Sequence, residues 1–400
     1  MAVDTPARIV IVGAGPIGIE AALYARFLGY EVTVLEAGQV GEHLLAWGHV
    51  PMFTPFGEVC TPLGLSALAA QDESYDPPAE DAILTGQQYL DAYLRPLSET
   101  DLVAGCLKLQ HQVISIARRG QLKQDTDDPE ERREAPLVTL VRDGDGHEHS
   151  LESEIVLDCS GVQGQPNFLG DGGQAVPGES AAMPHFGHGV IDALGRDRDR
   201  YANQQILVIG AGHSAATNIC QLSRLARESL DTHVTWITRE GSGSGESGPL
   251  TVREEDPHPE KRRVAQAANH LTTDADGHIA HWPATTVKSV HYEPQNDHFH
   301  VTLEGEHSGV FTFDRVVANV GYRPDLQMLR ELQIETCADW ESTTKLVQPE
   351  PNVYILGAKS YGRRSDFLLA TGFDQIRQLF AIVGDRESLN LYAKPLPKST

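Results

Sequence analysis

The chain has 400 residues, a formal charge of −24 and 40% hydrophobic residues. That length predicts two or three domains, and the apolar content suffices for packed cores and excludes a disordered chain. The acidic balance argues against a nucleic-acid partner or an anionic membrane surface, and no apolar run approaches the ~20 residues of a membrane-spanning helix.

In chain order, Arg8-Ile9-Val10-Ile11-Val12 is a β-branched run that predicts a buried strand. It leads into Gly13-Ala14-Gly15-Pro16-Ile17-Gly18, a helical stretch through Leu28, and a second strand over 31–35 that ends on Glu36. Gly13 permits the tight turn, Gly15 lets the backbone approach a pyrophosphate, and Gly18 lets the helix pack close to the strand. Glu36 stands where a carboxylate can accept from a ribose 2′-hydroxyl.

Residues 37–70 are rich in Gly and Pro, with Trp47, His49, Met52, Phe53 and Phe56 interspersed, and predict an irregular segment. Either it packs over a flat ring system or it only covers a sheet edge. Helical spacing over 86–97 puts Tyr89, Leu90, Tyr93 and Leu94 on one face. Strands are expected over 107–116 and 136–142, flanking a solvated acidic loop at 124–134, and then over 151–158, closing on Cys159-Ser160-Gly161.

A second anchor follows. Residues 205–210 read as a strand, and Gly210-Ala211-Gly212-His213-Ser214-Ala215 repeats the turn with Ala in the third slot. After a helix, the strand over 233–238 ends on Arg239. An arginine there can take the 2′-phosphate of NADP, whereas the adjacent Glu240 and the Ser/Gly-rich loop 241–248 leave NAD open. Two such turns about 200 residues apart imply two dinucleotides whose rings meet for electron transfer.

The five cysteines, at 60, 106, 159, 220 and 337, form no C-x-x-C pair, so neither a zinc site nor a local dithiol is indicated. Free thiols in a reducing cytoplasm are the expectation, with Cys60 either a lone redox thiol or a small hydrophobe. His43, His49, His185 and His188 lie in segments that face the expected cofactors or are ordinary packing residues. Arg262 and Arg263 either assist Arg239 or form a solvated helix face, and Arg323 either lies near the nicotinamide side or forms a structural ion pair.

The two turns resemble those of the flavoproteins with two dinucleotide-binding domains, the superfamily of the pyridine nucleotide-disulfide reductases and the class B flavin monooxygenases. Residues 155–161 (IVLDCSG) look like that family's first crossing and 316–325 (VVANVGYRPD) like its second. Asn352 to Gly357 (NVYILG) resembles its last strand, and Pro166-Asn167 its monooxygenase-like branch. The resemblance implies an α/β fold: an FAD-binding Rossmann-like domain, 1–165 and 315–400, with an inserted NAD(P)-binding Rossmann-like domain, 166–314. It implies FAD contacts at Gly13, Gly15, Gly18, Glu36, Trp47, Val113, Gly161, Gly357, Thr371 and Gly372. NADP contacts fall at Gly210, Gly212, His213, Ser214, Ala215 and Arg239.

Departures shape the functional expectation. The redox C-x-x-C is absent, and so is the F-x-G-x-x-x-H fingerprint, for which His185-Phe186-Gly187-His188-Gly189 has the residue types at the wrong spacing. The usual Gly-Asp after the last strand reads Gly357-Ala358, leaving the flavin ribityl contact missing or supplied by another residue such as Asp366. The expectation is an FAD- and NAD(P)H-dependent monooxygenase of a small organic substrate. The alternatives are a reductase passing electrons to a small acceptor or protein partner, and a non-enzymatic redox sensor. Neither a catalytic residue, a metal site nor an oligomeric state is assigned.

Overall fold

The computed structural model describes residues 5–126, 128–240, 248–252, 255–273, 277–335 and 346–393. Cys337 and most of the Ser/Gly-rich loop after Glu240 lie outside these residues, as does Asp127 of the acidic segment. Among the described residues no helix is long and apolar enough to cross a membrane.

The chain forms two compact units, residues 1–165 with 323–400, and residues 166–322. In the first, β1 (Arg8–Val12), β2 (Glu31–Leu35), β3 (Leu107–Lys108), β7 (Ile155–Asp158) and the returning strand Val353–Ile355 make a parallel sheet. Its order is Val353–Ile355, β7, β1, β2, β3. β1 is central, with Val12 level with Leu35 on one side and Asp158 on the other. Helix Pro16–Phe27 is buried from Ile17 through Ala25, because it is covered on both sides and not only on a stripe. Helix Leu369–Val383 packs beside it, with Phe380 stacked on Tyr24 at 5.1 Å between centroids.

An antiparallel sheet of β4 (Gln112–Arg118), β5 (Leu137–Arg142) and β6 (Glu148–Ser153) interrupts this unit. Two expected strands are thereby divided. Residues 107–116 split into β3 and β4, which belong to different sheets, and 151–158 split into β6 and β7 at Glu154. There the Glu154 carboxylate accepts the Arg8 backbone N–H at 2.6 Å and pairs with its guanidinium, so the chain turns from one sheet to the other.

The acidic segment is also not wholly a solvated loop. Pro129–Glu134 is a helix capped by Asp128, and Arg132 is fully buried, bonded to Glu350 at 2.7 Å. Arg118 reaches the same carboxylate at 2.8 Å. Residues 37–70, read as irregular, contain the helices Glu42–Ala46, Phe56–Val59 and Pro62–Gln71, the last capped by the Thr61 hydroxyl. Short helices between Gly and Pro residues carry too few turns for the pattern to show.

The second unit holds β8 (Gly187–His188), β9 (Gln205–Ile209), β10 (His233–Ile237), β11 (Ile279–Trp282) and β15 (Arg315–Ala318) in a parallel sheet of order β11, β10, β9, β15, β8. Strands β12 (Thr285–Glu293), β13 (His298–Gly305) and β14 (Gly309–Phe313) form an antiparallel sheet. Residues 315–318, expected to begin the return to the first domain, pair instead with β9 inside this unit; the chain leaves it after Tyr322. Helices His213–Glu228 and Pro259–Leu271 pack against each other around Trp236, Ile219 and Ala268.

Candidate functional site

In the first unit β1 delivers Gly13 to the carboxyl end of the sheet, where its N–H donates to the Leu35 carbonyl at 2.8 Å. Gly13 has φ +100°, and a Cβ there would stand 2.9 Å from the Cys159 carbonyl oxygen. At Gly18 a Cβ would stand 1.9 Å from the Gly13 carbonyl oxygen. Nothing lies within 4 Å of a Cβ built on Gly15, which begins helix Pro16–Phe27 with no side-chain cap. The amides of the first helical turn are therefore open to an anion from that side.

Glu36 supports this turn from within. Its Oε2 accepts the Ala14 N–H at 2.7 Å and its Oε1 the Gly38 N–H at 2.8 Å. Each oxygen keeps a further lone pair for a ligand. The Ala14 carbonyl accepts the Gly41 N–H at 3.1 Å, so the segment after Glu36 also braces the loop.

The neighbouring strand ends supply a polar cluster that the sequence reading missed. Asp158 is buried at the end of β7, and its Oδ1 accepts the Ser160 N–H at 3.1 Å and hydroxyl at 2.7 Å. Its Oδ2 lies 2.6 Å from Nζ of Lys359, itself buried. Gln375, on helix Leu369–Val383, accepts the Gly357 N–H at 2.9 Å and donates to Ser360 Oγ at 2.9 Å. The available signal was Lys359 itself, a charged residue two positions past the glycine that ends a buried strand.

The other expected FAD residues fall into two groups. Gly161, with φ +70°, and Gly357, with φ +71°, both lie at these strand ends. Gly372 lies in the first turn of helix Leu369–Val383 beside Thr371, and a Cβ on it would stand 2.3 Å from Ile17 Cδ1, so helix and turn are in contact. Trp47 packs against Gly86, and with the Gln163 amide turned to put its oxygen toward the ring, the indole N–H donates to that oxygen at 3.2 Å, which ties it to the crossing. Val113, on β4, packs instead into the layer of Val12, Leu35 and Ile355 below the sheet. Asp366 forms an ion pair with Arg364.

In the second unit the turn recurs. Gly210 has φ +126°, and a Cβ there would stand 2.2 Å from the Asn319 carbonyl oxygen. Gly212 has nothing within 4 Å and begins helix His213–Glu228. Ala215 is fully buried, Ser214 is half-buried and so is His213, whose imidazole is held below its ordinary pKa by burial and then by Lys261. Asn319 closes the turn: its amide donates to the Gly189 carbonyl at 2.6 Å and accepts from Asn218 at 2.9 Å. Arg239 and Glu240 are exposed just after β10, and the Glu240 carbonyl accepts the Thr238 hydroxyl at 3.1 Å. Arg263 pairs with Glu260 at 2.8 Å, as a solvated helix face would.

Other titratable groups are held by their packing. Burial pushes the Cys60 thiol up to about 11, helped by Glu20 and Glu80, and raises Cys106, Cys159 and Cys220 as well. None of these four is poised as a thiolate. His185 stacks on Tyr292 at 3.8 Å, and burial lowers the pKa of His188.

Residues 10–126 match the family described as pyridine nucleotide-disulphide oxidoreductase. No curated protein matches the chain. Among solved structures the chain is similar to a bacillithiol disulfide reductase from Bacillus cereus, at 15% identity and TM-score 0.71, over 95% of this chain and 99% of that one. It is similar to the FAD-bound cadaverine monooxygenase of desferrioxamine biosynthesis from Erwinia amylovora, at 13% identity and TM-score 0.63, over 99% and 100%. A third is the ornithine N-hydroxylase of Kutzneria sp. 744, solved with reduced FAD, NADP+ and L-ornithine, at 15% identity and TM-score 0.59, over 96% and 100%. These likenesses bear out the resemblance to the two-dinucleotide-binding flavoproteins at the level of fold.

Proposed function

We propose that this chain, folded as the two-dinucleotide-binding flavoproteins are, is an FAD-dependent oxidoreductase reduced by NADPH, and that it oxygenates a small organic substrate. The duplicated turn carries the reading. In each unit the first glycine has no room for a Cβ beside the crossing backbone, and the second has nothing within 4 Å. That arrangement fits a pyrophosphate laid on open helix amides.

Gly13, Gly15, Gly18 and Gly161 would hold the FAD pyrophosphate, with Glu36 accepting from the adenosine ribose by its remaining lone pairs. Thr371 and Gly372 open a 15-residue helix whose positive end would face the pyrimidine edge of the flavin. Gly210, Gly212, His213, Ser214 and Ala215 would hold NADPH, with Arg239 on the 2′-phosphate. Bound flavin would supply the redox chemistry between NADPH and oxygen.

Oxygenation is favoured over disulfide reduction by the cysteines. The sequence has no C-x-x-C, and the four described thiols are all raised by burial. A second reading, a reductase delivering electrons to a small acceptor, is favoured by the likeness to the bacillithiol disulfide reductase.

The test is to reduce the purified protein anaerobically with NADPH, admit oxygen with a panel of small amines, ketones and sulfides, and measure NADPH, oxygen, peroxide and product. Oxygenated product equal to NADPH consumed, with little peroxide, is expected. Peroxide equal to NADPH with every compound would move the assignment to the reductase. No bleaching of the flavin absorbance would remove both.

A further inference from the structure

Lys359 lies in the turn after the strand Val353–Ile355, on a segment where polar residues would ordinarily reach solvent. Its side chain is 1% exposed and its ammonium turns inward, 2.6 Å from Asp158 Oδ2 and 3.0 Å from Ser160 Oγ. An ammonium carries three donors. Ser160 Oγ accepts one by hydrogen bond, the ion pair with Asp158 occupies a second side, and no third acceptor lies in reach among the described residues.

The place matters as much as the count. Val12, Asp158 and Ile355 are level across the three adjoining strands, so Lys359 sits at their carboxyl ends. Open parallel sheets bind ligands there. A Cβ built on Gly13 would stand 3.0 Å from the Ser160 Cα, so the residue that accepts from Lys359 also adjoins the first glycine turn. Asp158 does not require the lysine for its Oδ1, which already accepts two donors from Ser160. A buried cation with an uncommitted donor beside a turn suited to pyrophosphate fits an anionic or hydroxyl-bearing ligand.

We propose that Lys359 is a further FAD-binding residue, donating its third N–H to the pyrophosphate–ribityl stretch of the cofactor, in the region where Gly357-Ala358 lacks the expected acid. The inference rests on the FAD reading above. Ser160 is its positioning partner, and Asp158 balances its charge so that the strand ends are not left with a lone buried cation.

The experiment measures FAD dissociation constants by flavin fluorescence, with melting temperatures of the FAD-free forms. Lys359→Met should weaken FAD about tenfold or more, the scale of a hydrogen bond to a charged group. Because that variant leaves Asp158 buried alone, Lys359→Met/Asp158→Leu is tested beside it and should recover the melting temperature but not the affinity. Lys359→Gln, which keeps N–H donors, should bind FAD more tightly than Lys359→Met. Wild-type affinity in the double variant, or equal affinities for the Gln and Met variants, would overturn the proposal and leave the FAD reading intact. Failure of the wild-type protein to bind FAD would overturn both.

Discussion

In the first glycine turn the acid after the second strand reaches back and closes the loop, with Glu36 accepting from Ala14 and Gly38 at 2.7 and 2.8 Å. In the second turn the corresponding strand is followed by Thr238, whose hydroxyl donates to the Glu240 carbonyl and not to the loop. That loop is held from elsewhere, by Trp236 Nε1 on the Gly210 carbonyl at 2.7 Å and by Asn319 pressed against Gly210. One spacing of glycines is therefore braced in two ways. The charge left for a ligand differs accordingly: an acid with its oxygens partly committed in the first unit, an exposed arginine in the second.

The largest expected effect breaks the symmetry at the third position. Gly18→Ala puts a Cβ 1.9 Å from the Gly13 carbonyl oxygen, and a backbone atom cannot swing aside. Helix Pro16–Phe27 must shift, at a cost of about 3 kcal/mol, and flavin should be lost on purification. The second turn already carries Ala215 at that position without conflict, fully buried. Ala215→Gly should cost ~1 kcal/mol or less and leave flavin content unchanged. Urea unfolding and flavin absorbance of the two variants check this. Equal losses in both would mean that the two turns are packed alike after all.

A second contrast lies two residues further along each helix. Glu20 is fully buried, accepting from Tyr93 and, at 3.0 Å, from the Thr61 hydroxyl. Burial raises its pKa from the ordinary 4.5 to about 7, with Tyr93, Thr61 and Tyr392 pulling it down. Tyr89 and Cys60 also face it, and none of these groups carries a positive charge. Between the two pKa values the folded chain binds the proton and the unfolded chain does not. This contribution to stability is therefore full below about 4.5 and is lost as pH rises through about 7. The loss is on the order of 3 kcal/mol by pH 8. Glu20→Gln should flatten the profile and leave the protein more stable than wild type at pH 8. In the second helix the equivalent position is Thr217, whose hydroxyl bonds the His213 carbonyl at 2.9 Å, so Thr217→Val should leave the pH profile as it was. Melting temperatures across about pH 5 to 8 decide it, and a Gln variant as pH-dependent as wild type would remove Glu20 as the source.

What the sequence made legible follows the same division. Strand, glycine turn and helix are local, so β-branched runs and glycine spacing revealed both turns and both helices. Glu36 was found because its place is set by the length of one helix and one strand. Arg132 was assigned to a solvated loop because its partner, Glu350, lies 218 positions away and nothing nearby in sequence marks either. Lys359 and Ser160 are 199 positions apart and meet only because the sheet sets their strands side by side. Asn319 lies in the stretch that resembles the second crossing, but its bonds to Gly189 and Asn218 required the fold. Short helices within 37–70 escaped because a turn or two offers no period to count.

The smallest expected effect tests the charge left for the second ligand. Arg239 is exposed, so solvent and salt weaken any contact it makes, and Arg239→Ala should cost NADPH about 1.5 kcal/mol, the lower end for a bond to a charged group. NADH lacks the 2′-phosphate and should lose much less. The difference should shrink as salt is raised, because an exposed ion pair is screened whereas the backbone amides of the turn are not displaced. Flavin reduction rates at varied NADPH and NADH, at low and high salt, give both affinities. Equal losses for the two nucleotides would mean that Arg239 does not read the phosphate. Glu240→Ala is then the informative partner, since a carboxylate on the ribose hydroxyls would make NADH the nucleotide that suffers.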